Sequence, residues 1–577
     1  MGNHKFIGKI ESIDWESKHD VISLKGFCYV EGFNFATNES VKKNLIISNG
    51  KKTYYLPLKN SSRTDIVDKD NKYSYKFSGF NGTIDIGYLD SMDSLAVGKW
   101  SIRLGLIING YEGEHSLECD LDLKEYKGKI LKNKRRNALI EIKPIIDNGD
   151  FCLKSVFLEE LDVLKKKSLI GRIVYKGLQF VKLCLTVFGG ALKICIIDPL
   201  IQILKYIKTF LIGTLYKTFK KLPLNEKKVL FLSDSRSDLN GNFAFVYDEL
   251  VRRGGYEIHT MLKPTIESKM SIFEKFRFLY NVATSKYILL DDFYPKIYSF
   301  SLRKGAELVQ LWHACGAFKT FGFSRLGKKG GPKIRSKNHR NYTKAIVSSE
   351  KIRKHYAEGF GISEDNVVAT GVPRTDIFFD EEYKREKMDE LYDKYPILRG
   401  KKVIMFAPTF RGNGQKTAYY DFDKFDIEKM YNEFGKEYVV IMKLHPFVKN
   451  VPKIDEKYSD FIIDLSTERE INDLLFISDI LITDYSSVCF EYSLLNRPMI
   501  FFAYDMEAYI ASRDFYYPYK SFVPGPIVRD TDGIVNVIKK GDFKLEKLES
   551  FRNKFFDHFD GKSTERVVDM ILGSNDN

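Results

Sequence analysis

The chain has 577 residues, enough for about three domains, and its 44% hydrophobic content allows each a full core. A net charge of +14 points to an anionic partner: nucleic acid, an acidic lipid surface or a phosphate-rich polymer. Seven scattered cysteines, none paired at metal-ligand or disulfide-framework spacing, exclude a disulfide scaffold and point to a reducing compartment. The N-terminus, Met1 to Lys5, lacks the apolar core of a signal peptide. Gly2 is discounted as a myristoylation site, because Phe6 stands where Ser or Thr is wanted.

Residues 1–125 read as β structure. Trp100, Ile102, Leu104 and Leu106 alternate, Asn109-Gly110 is a hairpin turn, and His115, Leu117, Cys119 and Leu121 alternate on the return. Ser48-Asn49-Gly50 marks a second hairpin. Short strands at this spacing predict an N-terminal β-sandwich, an accessory domain with nothing catalytic in it.

Residues 126–227 read as a linker followed by basic amphipathic helices. From 150 to 225, lysines such as Lys165, Lys182, Lys193 and Lys217 interleave with Phe180, Leu183, Leu204 and Leu211, and acids are almost absent. No uncharged apolar run reaches the ~18 residues of a membrane span. Asp198-Pro199 divides the stretch in two. The pattern predicts helices lying in the headgroup layer of an anionic membrane. A linker pair packed on the neighbouring domain is the alternative.

From Lys228 onward, strands and helices alternate. Val229-Leu232, Ile258-Met261, Tyr287-Leu290, Leu308-Trp312, Ala345-Val347 and Val367-Thr370 are apolar runs with helical segments between them. After a charged connection near 380–400 the pattern restarts with Val403-Phe406, Val439-Leu444, Phe461-Ile463, Ile480-Thr483 and Met499-Phe502. The fold class is α/β: two facing Rossmann-like domains, 228–395 and 396–577, with a cleft between their carboxyl edges.

Polar residues gather where these strands end: Trp312 to Thr320, Gly371 to Asp376, Ala407 to Gly412 with Arg411, Met442 to Pro446, and Asp484 to Ser487. In the last, two serines sit where a strand hands over to a helix, a place that seats phosphate. Each segment alone has a bland reading. Asp484 or a serine caps the helix, Arg374 pairs with Asp376 or Glu382, Thr409 caps, and each histidine is a hydrogen-bonded structural residue. Five such ends together point to one cleft built for phosphates.

In this order, Trp312-His313…Lys319, Gly371…Pro373-Arg374, Ala407-Pro408-Thr409, Lys443-Leu444-His445 and Thr483-Asp484-Tyr485-Ser486-Ser487 resemble the CDP-glycerol glycerophosphotransferase family. So do Arg513-Asp514-Phe515-Tyr516 and Pro524-Gly525-Pro526. The resemblance spans roughly 228–565. Ser233 to Arg236, Gly241-Asn242-Phe243 and Gly322 to Pro332 look most like its ribitol-phosphate polymerases. Members polymerise or prime teichoic acids and related capsule polymers in bacteria, which implies a GT-B-type layout.

The resemblance makes His313 and His445 the essential histidines. Its CDP-alditol contacts fall on Ala314, Cys315, Gly316, Ala317, Arg374, Pro408, Thr409, Lys443, Leu444, Ser486, Ser487 and Glu491, and the neighbouring Lys319 and Arg411 are further candidates for substrate binding. Two positions depart from the glycerol polymerases: Ala314-Cys315-Gly316 replaces Gly-Thr-Pro, and Glu491 replaces Asp. Both touch the donor site and bear on which alditol is used.

The implied reaction moves ribitol phosphate or glycerol phosphate from CDP-ribitol or CDP-glycerol to the hydroxyl end of a lipid-linked polyol-phosphate acceptor, releasing CMP. His313 is expected as general base. His445, Arg374 and Thr409 are expected to neutralise the transferring phosphate, and the Ser486-Ser487 turn to hold the leaving phosphate. No cofactor and no metal are expected. Expected partners are an anionic membrane surface at the cytoplasmic face and a second copy of the chain, not nucleic acid. The rival reading is a nucleotide-sugar glycosyltransferase of cell-surface polysaccharide synthesis.

Overall fold

The computed structural model describes residues 4–15, 21–68, 70–86, 98–133, 138–160, 210–328, 330–412 and 416–573. Among these, the N-terminal strands are β1 (Phe6–Asp14), β2 (Val21–Val30), β3 (Val41–Ser48), β4 (Thr53–Pro57), β5 (Lys59–Ser61), β6 (Gly79–Asp85), β7 (Gly98–Ile108), β8 (Tyr111–Ser116), β9 (Glu118–Cys119), β10 (Lys129–Asn133), β11 (Ala138–Asp147) and β12 (Asp150–Glu160). They pair, almost wholly antiparallel, in the order β4-β3-β7-β12-β9-β1-β2-β6-β5, with β8 on β7, β11 on β12 and β10 on β11. Alternation decides which face is buried: Trp100, Ile102, Leu104, Leu106 and Ile108 of β7 all point into one core. Asn109 and Gly110 turn β7 into β8 with positive φ at both, as a two-residue hairpin requires.

The β region runs on to Glu160, past residue 125. Residues 129–160, expected as linker, form β10, β11 and β12, and β12 pairs with β7. The signal was present: Asn148-Gly149, with φ of 54° and 86°, closes the β11–β12 hairpin between two alternating apolar runs.

Two parallel sheets come next. The first comprises β13 (Asn225–Ser233), β14 (Glu257–Leu262), β15 (Ser285–Leu290), β16 (Glu307–Gln310), β17 (Lys344–Ile346) and β18 (Val367–Val368), in the order β14-β13-β15-β16-β17-β18. The second comprises β19 (Lys402–Ala407), β20 (Tyr438–Met442), β21 (Ile462–Asp464), β22 (Ile480–Thr483), β23 (Met499–Phe502) and β24 (Ile527–Val528), in the order β21-β20-β19-β22-β23-β24. The order reverses direction between β13 and β15 and between β19 and β22. Ligands of open α/β sheets bind beyond the carboxyl ends of strands at such switch points. Continuous apolar runs made these strands legible because both faces are covered: β20 is buried at all five residues. β24, two residues long, gave no such run.

The helices of this half include α1 (Asn242–Arg253), α2 (Ile272–Thr284), α3 (Arg353–Phe360), α4 (Val488–Ser493) and α5 (Ser563–Leu572). α5 returns from the C-terminus to the first sheet, where Val567, Val568 and Ile571 share a core with Val229 and Phe231. The N-terminal sheet docks on the same unit. Ile46 and Tyr55 join its main core, and the Tyr55 hydroxyl donates to Glu364 at 2.7 Å.

Most of the basic amphipathic stretch, 161–209, lies outside the described residues. Its end is a helix over residues 210–219. There Tyr216 is buried against Phe300 and donates to the Ser301 carbonyl at 3.1 Å, and Phe219 meets Phe276 and Tyr280 of α2 edge-on. This end packs on the first α/β unit. Among the described residues no helix is long and apolar enough to cross a membrane.

Candidate active site

β16 ends in a strained turn. Trp312 has φ of 53°, in the left-handed region that side chains avoid, and the residue after it is His313. The strain is held by packing and hydrogen bonds. The Trp312 ring stacks on Phe321 at 5.3 Å, and its N–H donates to the Gln310 side chain at 2.9 Å. The His313 ring lies 4.5 Å from that of Trp312, and its Nδ1 sits 3.5 Å from Asp292 Oδ1. Asp292 is itself fixed by donations from Ser235 Oγ at 2.8 Å and the Phe293 N–H at 2.6 Å. A carboxylate at Nδ1 orients the ring and leaves Nε2 for a reacting proton. The sequence reading missed Asp292; an Asp-Asp pair directly after the apolar strand Tyr287-Leu290 was its signal.

The loop after His313 lies against the second unit. Tyr356 donates to the Ala314 and Gly316 carbonyls at 3.3 and 2.9 Å, and the Gly316 N–H donates to Ser348 Oγ at 3.2 Å. Gly316 has φ of 64°, and a Cβ there would stand 2.2 Å from the Phe490 ring of α4. Only glycine permits both the turn and the approach. Cys315 and Ala317 are buried. Burial, with Glu491 beside it, pushes the Cys315 thiol well above its ordinary range, so it is no nucleophile. Lys319 has Asp484, Arg513 and Arg411 for electrostatic neighbours. Burial lowers its ammonium to about 8 against the pull of Asp484.

Arg374 follows Gly371 and opens the 3-10 helix Pro373–Phe379. Its N–H donates to Asn242 Oδ1 at 3.0 Å, and the Asn242 amide donates to the Trp312 carbonyl at 2.8 Å, tying Arg374 to the histidine turn. Its guanidinium pairs with neither Asp376 nor Glu382. It crosses to Glu491 on α4, which is 1% exposed. Asp376 instead accepts from the first N–H groups of α5. Arg374 Nε and Glu491 Oε2 are buried without a protein partner.

On the second unit, Asp484 does not cap α4. Wholly buried, it accepts from the Thr409 N–H at 2.7 Å and from Arg411 at 2.9 Å, locking the Pro408-Thr409 turn to the end of β22. Arg411 also pairs with Asp505 at 2.6 Å and lies between 5.0 and 5.3 Å from four tyrosine rings. Its charge therefore serves the frame. Thr409 Oγ1 is buried and unpartnered. Lys443 donates to the Ser466 carbonyl at 3.0 Å and Leu444 to Ser466 Oγ at 2.9 Å, which fixes the backbone leading to His445.

His445 is exposed along one side and flanked by Phe410 and Phe447, with ring centroids at 4.8 and 4.6 Å. The Phe447 N–H donates to Nδ1 at 3.2 Å, so the neutral ring carries its proton on Nε2. Desolvation in the cleft, then the Lys319 and Lys443 charges, push it down to about 4, and it is neutral at pH 7. This differs from the expectation that His445 neutralises phosphate charge. Ser486 Oγ receives the Val488 N–H at 3.4 Å, and Ser487 makes no capping bond.

Both histidines lie just beyond the carboxyl ends of parallel strands, His313 after β16 and His445 after β20. The Trp312–His313 turn connects through Asn242 and Arg374 to Glu491 within α4, and His445 feels the charge of Lys319, which neighbours Asp484 at the turn before that helix. Among the described residues no three His, Cys, Asp or Glu side chains could hold a metal ion.

Comparison with known proteins finds a matching family and several relatives. The family model described as CDP-Glycerol:Poly(glycerophosphate) glycerophosphotransferase matches residues 214–573. A Teichoic acid poly(ribitol-phosphate) polymerase of Bacillus spizizenii is 40% identical over 580 residues, covering 98% of this chain and 89% of that one. The Teichoic acid ribitol-phosphate polymerase TarK of Staphylococcus aureus is 50% identical over 366 residues, covering 63% and 71%. Among solved structures, the Wall Teichoic Acid Polymerase TagF superposes with a TM-score of 0.52 at 22% identity, over 65% of this chain and 97% of that one, showing a shared fold.

Proposed function

This chain belongs to the CDP-glycerol:poly(glycerophosphate) glycerophosphotransferase family, and on that premise we propose that it transfers ribitol phosphate from CDP-ribitol to the hydroxyl end of a polyol-phosphate chain. Ribitol is favoured over glycerol because the most similar relatives carry ribitol-phosphate names. The observation that carries the reading is a set of unsatisfied donors where the two sheets meet. Arg374 Nε and Thr409 Oγ1 lack protein partners, and the Lys319 ammonium, which neighbours Asp484, makes no ion pair among the described residues. Buried polar atoms are rarely left unpaired, and a diphosphate supplies their acceptors.

In this reading the two α/β units face each other as a GT-B-type cleft. The acceptor hydroxyl attacks the phosphorus attached to the alditol, the new P–O bond replaces the bond to CMP, and His313 Nε2 takes the hydroxyl proton. The neutral His445 donates Nε2–H to the transferring phosphate. Arg374 and Lys319 offset its charge. Pro408-Thr409 and the Ser486-Ser487 turn seat the leaving CMP phosphate, while Cys315, Ala317, Lys443, Leu444 and Arg411 hold the walls in place. Glu491 positions Arg374. The protein brings no cofactor of its own.

The test is a donor panel. Purified protein with an acceptor should release CMP fastest from CDP-ribitol, more slowly from CDP-glycerol, and nothing from UDP-sugars. Turnover of a UDP-sugar alone would replace this reading with the glycosyltransferase one.

Lys319 gives a pH signature. Its ammonium is charged below about 8 and neutral above. If only the charged form holds the donor, the donor KM should rise about tenfold between pH 7 and pH 9, the fall in protonated fraction across that pKa. Lys319→Met should show a high, pH-independent KM in that range.

With a lipid-linked acceptor, the reaction runs at the cytoplasmic face of the membrane. Support for peripheral binding comes from apolar side chains left in solvent: Phe210 and Leu211 at the start of the 210–219 helix, and Ile272 and Phe273 at the start of α2, the last two 81% and 87% exposed. Lys269, Lys275 and Lys217 surround them in sequence. Such a surface suits an anionic headgroup layer. Ile272→Ser with Phe273→Ser should weaken binding to phosphatidylglycerol vesicles, read by sedimentation, at least about a hundredfold, since each buried apolar side chain contributes about 1.5–3 kcal/mol and about 1.4 kcal/mol is tenfold.

A further inference from the structure

The N-terminal sheet and the α/β units enclose a cavity of about 1440 Å³ that shares Lys319 and Thr409 with the proposed transfer site and is otherwise lined by residues that no step of the transfer uses. A site for one small molecule occupies roughly 300–1,000 Å³. One wall is the edge β3–β5, with Lys42 and Lys59; the opposite wall carries Arg325, Lys328 and Arg513. At its inner end the cavity is lined by Thr409 and Phe410, and the Phe410 ring lies 4.8 Å from that of His445. The cavity therefore opens onto the proposed transfer site.

Its charge is one-sided: eight Lys and Arg side chains line it against four Asp and Glu. Lys42 and Lys328 both pair with Asp514, and Lys43 is held by three carbonyls. Lys59 and Lys319 have no ion pair among the described residues. Lys59 lies across Gly327, where φ is 72° and a Cβ would stand 2.8 Å from the lysine stem. The absence of a side chain there joins the N-terminal sheet to the catalytic unit along the cavity. The cations fall at separate places in the lining, Lys42 and Lys328 at Asp514, Lys59 at Gly327 and Lys319 near Asp484, which suits a ligand with more than one phosphate.

We infer that this cavity is the groove for the acceptor's phosphodiester chain, holding polyol-phosphate units behind the reacting end, with the N-terminal sheet as one wall. The inference rests on the phosphotransfer reading for the identity of the chain. Nucleic acid fits less well, because Tyr509, Phe515 and Tyr516 in the lining are buried, and the half-buried Phe321 and Phe410 already pack on Trp312 and His445. Held this way, the product stays at high local concentration after each transfer, and extension proceeds without release.

The test uses the full chain with Lys59→Glu and Lys328→Glu, singly and together, with unfolding curves confirming an intact fold. Binding of a fluorescent oligomer of about ten polyol-phosphate units is measured without donor, across salt concentrations. The double variant should bind at least about tenfold more weakly with a flatter salt dependence, as expected when phosphate contacts are lost. Transfer to a single-unit acceptor should stay within about twofold, because neither lysine contacts the reacting groups, while products from longer acceptors become shorter. Unchanged oligomer affinity and product length would overturn the inference, as would tighter binding of an RNA oligonucleotide of equal charge. Oligomer binding that depends on these lysines, in a protein that releases no CMP from any CDP-alditol, would uphold an anion-binding groove and reject the phosphotransfer reading.

Discussion

Replacing His313 by alanine should lower turnover at least ~100-fold, the lower end of general-base effects, with the unfolding midpoint unchanged. The ring is exposed, so its removal leaves no cavity. It also leaves Trp312 packed on Phe321 and Phe360 and bonded through its N–H to Gln310. What is lost is the nitrogen that Asp292 orients. Asp292→Asn should therefore lower turnover by a smaller factor while sparing donor affinity, because it disturbs the base and not the diphosphate seat. Turnover of His313→Ala within tenfold of the parent would remove His313 from proton transfer.

Arg374→Ala should have the second large effect, on both stability and activity. It strands the Glu491 carboxylate, 1% exposed, without its cation. Breaking a buried pair from one side costs about 3–5 kcal/mol, because the remaining charge is left uncompensated. Denaturant unfolding should show that loss. The double change Arg374→Ala with Glu491→Gln should recover much of the stability, because the stranded charge is gone, and should recover no turnover. Recovery of turnover in the double variant would mean that Arg374 acts only as a strut for α4.

Much of this was legible in the chain. Buried parallel strands write themselves as apolar runs, so the eleven runs from Val229 to Phe502 fall on strands of the two sheets. The polar segments after them fall at the sheets' carboxyl edges for the same reason. Pairings between elements distant in sequence were not legible. Arg374 reaches Glu491 and not a local acid, because the turn at Gly371 and the anchor at Asn242 aim it at α4. Arg411 is spent on Asp484 and Asp505, a fact that depends on three strand ends meeting. Lys443 turns to the backbone of 466–468. The position of the N-terminal sheet beside the catalytic unit had no sequence signature, since its contacts run through residues such as Tyr55 and Glu364, three hundred positions apart.

The proposed chemistry requires the diphosphate of the donor to lie between the two sheets. A crystal structure of the His313→Ala protein soaked with CDP-ribitol measures this directly. The alditol-linked phosphorus should lie within hydrogen-bonding reach of His445 Nε2 and the Arg374 guanidinium, with the CMP phosphate at Thr409 and the Ser486-Ser487 turn. A nucleotide bound elsewhere, with Arg374, Thr409 and Lys319 untouched, would contradict it.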